Sequence, residues 1–94
     1  MRLMMQVLIP VDKGNAGVAD GSLPAAIEEF VKAANPEAAY FHLSDGKRAA
    51  TFIFEEKEQA KLVEYNETFF EVMNAEICIQ PVLLLEELRG NLAR

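Results

Sequence analysis

Two apolar runs separated by Asp45-Gly46 constrain this chain more than any other feature. Residues 38–43 (Ala-Ala-Tyr-Phe-His-Leu) and residues 49–54 (Ala-Ala-Thr-Phe-Ile-Phe) are both strand-like, and Asp-Gly tolerates the positive φ angles of a two-residue hairpin turn. If Asp45 and Gly46 form that turn, Ser44 pairs with Lys47 and His42 faces Ala49. A one-residue slip would exchange the two sides of the third strand. A helical pattern flanks the hairpin on each side, and an apolar strand lies beyond each helix. The order is therefore β-α-β-β-α-β, an α+β sandwich of ferredoxin-like topology with strand order 4-1-3-2.

The first strand spans residues 2–11. Leu3, Met5, Val7, Ile9 and Val11 lie on one side, and Met4, Gln6 and Leu8 on the other. A strand apolar on both faces belongs in the middle of its sheet. Residues 12–15 read as a loop, and the stretch to Asp20-Gly21 as room for a helical turn. Leu23, Ala26, Ile27, Phe30, Val31 and Ala34 then form one helical stripe, with Ser22 as N-cap, Pro24 in the first turn and Asn35-Pro36 as the stop. A second helix is expected over residues 57–74, with Leu62, Val63, Phe69, Phe70 and Met73 inward and Asn66 interrupting the stripe. Asn74 suits its left-handed C-terminus. The fourth strand covers residues 75–82, followed by an amphipathic stretch carrying Leu84, Leu85, Leu88 and Leu92.

Ninety-four residues, 51% of them hydrophobic, make one domain covering residues 1–94. No apolar run approaches the length of a bilayer span. The N-terminus reads as a strand rather than a signal peptide, and one cysteine excludes a disulfide framework, so the expected location is cytoplasmic. A net charge of −6 with scattered cations argues against nucleic acid as a partner.

Two helices cover only one face of a four-stranded sheet. Leu3, Met5, Val7, Ile9, Ala39, Phe41, Leu43, Ala50, Phe52, Phe54, Ile77 and Ile79 are expected beneath them. The opposite face carries Met4, Gln6, Leu8, Tyr40, His42, Ala49, Thr51, Ile53, Glu76, Cys78 and Gln80. That face is too apolar for water and too polar for an ordinary core. It suits a lined cavity closed by a second copy of the chain.

The segments Ile9-Pro10-Val11-Asp12-Lys13-Gly14-Asn15, Asp20-Gly21-Ser22-Leu23, Pro36-Glu37-Ala38-Ala39-Tyr40-Phe41, Asn74-Ala75-Glu76-Ile77 and Pro81-Val82 resemble a group of short bacterial proteins of unknown function. These in turn resemble the dimeric α+β barrel superfamily, whose protomer is ferredoxin-like. The resemblance implies that fold and a homodimer. It leaves activity open, because the superfamily holds cofactor-free monooxygenases, isomerases, haem-handling enzymes and proteins without known activity.

His42, the only histidine, is the one side chain that titrates near neutrality unperturbed, and Tyr40 shares its face. These two are the candidate catalytic pair; the alternative is a hydrogen-bonded structural histidine. Gln6, Thr51 and Gln80 are candidate ligand-binding groups, although Gln6 has the alternative of pairing with Thr51. Glu76 and Gln80 are expected on the edge opposite His42, meeting it only across a dimer. Cys78 has no adjacent cation to stabilise a thiolate. One histidine, one cysteine and unspaced carboxylates form no metal site, and no cofactor motif is present. Two functions remain: a small-molecule enzyme or binding protein with its site inside the dimer, or a non-catalytic interaction dimer with no ligand site.

Overall fold

A computed structural model describes residues 1–92. Its elements are β1 (Arg2–Ile9), α1 (Val11–Asp20), α2 (Ser22–Ala34), β2 (Ala38–Ser44), β3 (Lys47–Glu55), α3 (Gln59–Met73), β4 (Glu76–Pro81) and α4 (Leu85–Leu92). The strands form one antiparallel sheet in the order β2-β3-β1-β4. This is an α+β fold with the expected ferredoxin-like strand order and two helices, α1 and α4, added to the six expected elements.

The hairpin turns where its chemistry dictates. Asp45 and Gly46 have φ of 53° and 73°, and Ser44 pairs with Lys47 and His42 with Ala49. The chain enters β2 from Asn35, whose φ of 47° ends α2 and whose N–H donates to the Val31 carbonyl. Pro36 then prevents the helix from resuming.

Residues 12–15 are helical, not a loop, because α1 occupies that stretch. Gly14 and Gly17 serve close packing. A Cβ at 14 would lie 2.7 Å from Arg48 Nη1, and one at 17 would lie 2.8 Å from Met73 Cε. Gly21, with φ of 82°, separates α1 from α2. Ser22 is the first residue of α2 and not its cap. Asp20 Oδ1 accepts from both the Ser22 N–H (2.8 Å) and the Ser22 hydroxyl (2.6 Å). Those bonds, the hydroxyl first, hold the Asp20 carboxyl below its ordinary pKa.

Met5, Val7, Phe52, Phe54, Phe69 and Met73 are the most deeply buried large side chains. Phe30 stands among the rings of Phe52, Phe54, Tyr65 and Phe69, at centroid distances of 4.6, 5.5, 5.4 and 6.0 Å. Such tilted and edge-on pairs add to simple area burial.

α3 keeps Leu62, Phe69 and Met73 of the expected stripe against the core but departs from it at two positions. Tyr65, Phe69 and Met73 are buried, whereas Val63 and Phe70 are exposed. The Tyr65 hydroxyl reaches Glu56 Oε1 at 2.6 Å while its ring stays inside. Ala39, Phe41 and Leu43 also depart from expectation, because they are exposed rather than covered by helices. β2 is an edge strand, and an open cleft separates Phe41 and Leu43 from Leu23 and Ile27 of α2.

α4 buries no residue. Arg2 holds it at the start of β1, with Nη1 donating to Glu87 Oε1 (2.6 Å) and Nε to Glu37 Oε1 (2.7 Å). Glu87 Oε1 also accepts the Leu84 N–H at 2.9 Å, half of a capping box. The projecting helix lengthens the molecule to 52 Å, and the radius of gyration is 14.6 Å. A compact chain of this length has about 12 Å.

Candidate functional site

The sheet register sorts the helix-free face into three rows running across all four strands. The first is His42–Ala49–Leu8–Glu76, the second Tyr40–Thr51–Gln6–Cys78, and the third Ala38–Ile53–Met4–Gln80. The middle row is wholly polar apart from the phenol ring and the thiol. The third is apolar except at Gln80.

The first row forms a groove. Its ends, His42 and Glu76, stand three interstrand steps apart, about 14 Å. Between them Ala49 is a methyl group and Leu8 is half-buried, so the floor is low and apolar. The resulting depression, about 250 Å³, is lined by Gln6, Leu8, His42, Ala49, Glu76 and Cys78 among others. His42 and Glu76 therefore line one groove from opposite edges of the sheet, as the strand order implies, and do not meet within the chain. The short side chains between them leave the space that joins them.

Of the candidate residues, His42 and Gln6 line this groove. Thr51 reaches His42, its hydroxyl lying 2.8 Å from Nε2. The other ring nitrogen, Nδ1, lies 3.3 Å from the Leu43 carbonyl, which can only accept. The carbonyl therefore places a proton on Nδ1, while the Thr51 hydroxyl can serve Nε2 as donor or acceptor. Thr51 consequently serves His42, and Gln6 is exposed beside it without a hydrogen bond between the two among the described residues. Tyr40 is 62% exposed, two residues along from His42 on the same face. Gln80 lies in the third row, away from the groove. Cys78 is free and exposed on the edge strand β4.

A second cleft lies on the helix side and was not anticipated. It measures about 350 Å³ and runs between Phe41 and Leu43 of β2 and Leu23 and Ile27 of α2, with Phe69 and Val7 beneath. One sequence signal pointed to it: apolar residues on a strand expected at the sheet edge receive less cover than those inside. Arg48 closes one end, its Nη1 donating to Asn15 Oδ1 at 3.0 Å. His42 and Ala49 line both cavities, so the two meet at the mouth of the hairpin.

Among the described residues no group of three His, Cys, Asp or Glu side chains could hold a metal ion. No helix there is long and apolar enough to cross a membrane. The helix-free groove thus offers an apolar floor, one imidazole, one carboxylate, one amide, one hydroxyl and one thiol. That inventory brings no second acid or base within hydrogen-bond reach of His42.

No family model matches the chain, and no curated protein matches it. Among solved structures it is similar to "De novo designed protein Ferredog-Diesel", with 12% identity over 86% of this chain and 85% of that one, and a TM-score of 0.50. MupZ from Pseudomonas fluorescens has 18% identity, coverage of 98% of this chain and 81% of that one, and a TM-score of 0.48. At 12% identity the likeness to the designed protein is one of fold, and it agrees with the ferredoxin-like assignment.

Proposed function

We propose that this chain is a homodimer of the dimeric α+β barrel kind, bacterial and cytoplasmic, which binds a small, largely apolar or aromatic molecule between its two sheets. The row His42–Ala49–Leu8–Glu76 carries the reading, because an apolar floor bounded by two polar groups is the usual make-up of a small-molecule pocket. A second copy laid on the helix-free face would deepen the groove into a cavity and cover Met4, Leu8, Tyr40 and Ile53. Pairing of this kind typically buries about 800 Å² per subunit. His42 and Tyr40 would orient the polar end of the ligand, with Gln6 beside them. Glu76 disfavours an acidic ligand.

One observation favours the second reading, a dimer without a ligand. Both His42 ring nitrogens are engaged within the chain, by Thr51 and by the Leu43 carbonyl. An amide-resolved NMR titration with neutral phenols and indoles separates the two. The binding reading expects shifts at Gln6, His42 and Glu76, several-fold weaker binding in His42→Ala, and a melting temperature changed by only a few degrees. Blank titrations together with a His42→Ala variant that no longer dimerises would establish the non-binding dimer instead.

A further inference from the structure

The larger cleft and the unpacked helix α4 are complementary halves of one contact, and we propose that α4 of each subunit docks into the β2–α2 cleft of a second copy. α4 is eight residues long, contains Gly90 and buries nothing. Isolated helices shorter than about 12–15 residues are marginal in water, so its stability has to come from packing. Leu85, Leu88 and Leu92 fall at i, i+3 and i+7, the spacing of a helix laid in a groove, and they are 59%, 42% and 74% exposed. The cleft offers the matching surface. Phe41 and Leu43 form its outer wall, 59% and 78% exposed, over a buried floor.

Reach makes the occupant a second copy. α4 is anchored through Glu87 to Arg2, and the Val82 N–H donates to the Arg2 carbonyl, so the helix starts at the beginning of β1. The cleft lies at the far end of that strand, beside Ile9 and its partner Arg48. The two ends of β1 are about 24 Å apart. Leu92 extends only about 8 Å along the helix from Glu87. The arm therefore cannot enter the cleft of its own chain while Arg2 holds it.

Charge agrees with this pairing. Arg48 lines the cleft, and the first turn of α4 carries Glu86 beside the Arg2-bound Glu87. Two copies exchanging arms use the same pair of surfaces twice, which closes the assembly as a two-fold dimer with no open end. The cleft adjoins the helix-free groove at His42 and Ala49, so the arm would lie beside the sheet-to-sheet interface. The arm contact nevertheless stands or falls separately from the ligand reading.

The test uses two full-length chains, both carrying Cys78→Ser, one with Leu43→Cys and the other with Leu88→Cys. Both altered positions are exposed, so neither change disturbs the core. Mixed and mildly oxidised with glutathione disulfide, they should give a cross-linked species holding one of each chain, and faster than either chain cross-links with itself. Leu88→Glu should raise the dimer dissociation constant at least tenfold. Preferential cross-linking of like chains, or a dimeric mass with no cross-link, overturns the arm contact while leaving the sheet-to-sheet dimer intact. A doubly substituted chain that closes on itself as a monomer overturns it as well.

Discussion

Replacing Tyr65 by Phe isolates a single hydroxyl. The ring would keep its edge-on contacts with Phe30 at 5.4 Å and Phe54 at 5.9 Å, and only the 2.6 Å bond to Glu56 Oε1 would be lost. The Ala33 carbonyl, at 3.5 Å, adds little to that hydroxyl. A hydrogen bond to a charged group nets about 1.5–3 kcal/mol, and the accessible Glu56 carboxylate places this one near 1.5 kcal/mol. For a domain of this size that is roughly 6–12 °C in melting temperature.

The pH dependence has a definite sign. The Tyr65 hydroxyl, followed by the Glu58 N–H, holds the Glu56 carboxyl below its ordinary pKa. A depressed carboxyl contributes stability above its unfolded pKa and loses it as pH falls through the folded value. The gap between wild type and Tyr65→Phe should therefore be full at pH 7 and close in acid, below about pH 4. Burial first, then Glu56, pushes the Tyr65 phenol up to about 12. Its contribution is complete below pH 10 and disappears from the wild type as pH approaches 12, a loss the variant lacks. Urea unfolding at pH 3, 7 and 11 measures all three points. A variant as stable as the wild type at pH 7, or a gap that widens in acid, would refute the reasoning.

Light scattering should give a mass near twice the 10.5 kDa of one chain, and a value near 10.5 kDa would contradict the dimer. Gly17→Ala should destabilise by about 1 kcal/mol, because the new Cβ meets Leu23 Cβ at 3.0 Å as well as Met73. Gly14→Ala should be close to neutral by the same thermal melt, since its obstacle is the movable end of Arg48 and the helix gains from alanine. Asn66→Ala should stabilise by about 1 kcal/mol, because Asn66 Oδ1 is buried and no described group donates to it. Chemical denaturation checks that gain; a loss of stability would show that the amide has a role in the fold.

The parts legible in sequence were those fixed by local chemistry. Asp45-Gly46 set the hairpin register, Asn35-Pro36 ended a helix, and alternation in residues 2–11 marked a strand apolar on both faces, although it stops at Ile9 and Val11 opens α1 instead. What escaped was decided by distant partners. α1 was hidden because Gly14 and Gly17 have poor helix propensity, and their value lies in approaching Arg48 and Met73. The inward stripe of α3 was placed too wide, at Val63 and Phe70 as well as Leu62, Phe69 and Met73, and it missed Tyr65, whose hydroxyl is taken by Glu56. The helix-free face was assembled correctly as a set of residues, but its groove depends on Ala49 and Leu8 standing abreast of His42 and Glu76. That alignment belongs to three strand pairings at once, and no one segment contains it.

The edge strand β2 has a consequence for how the protein behaves in bulk. Its seven residues, Ala38–Ser44, include Tyr40, Phe41 and Leu43 in exposed positions and no Asp, Glu, Lys or Arg. One side of its backbone has no strand neighbour among the described residues. Natural sheets usually guard such an edge with a lysine, a proline or a bulge. Here the guard is collective: a formal net charge of −6 keeps chains apart. That protection vanishes near the isoelectric point of about 4.7 and is screened by salt. Concentrated solutions at mildly acidic pH are where strand-to-strand growth through β2 should begin, so colloidal stability in this molecule is governed by its charge balance rather than by its core.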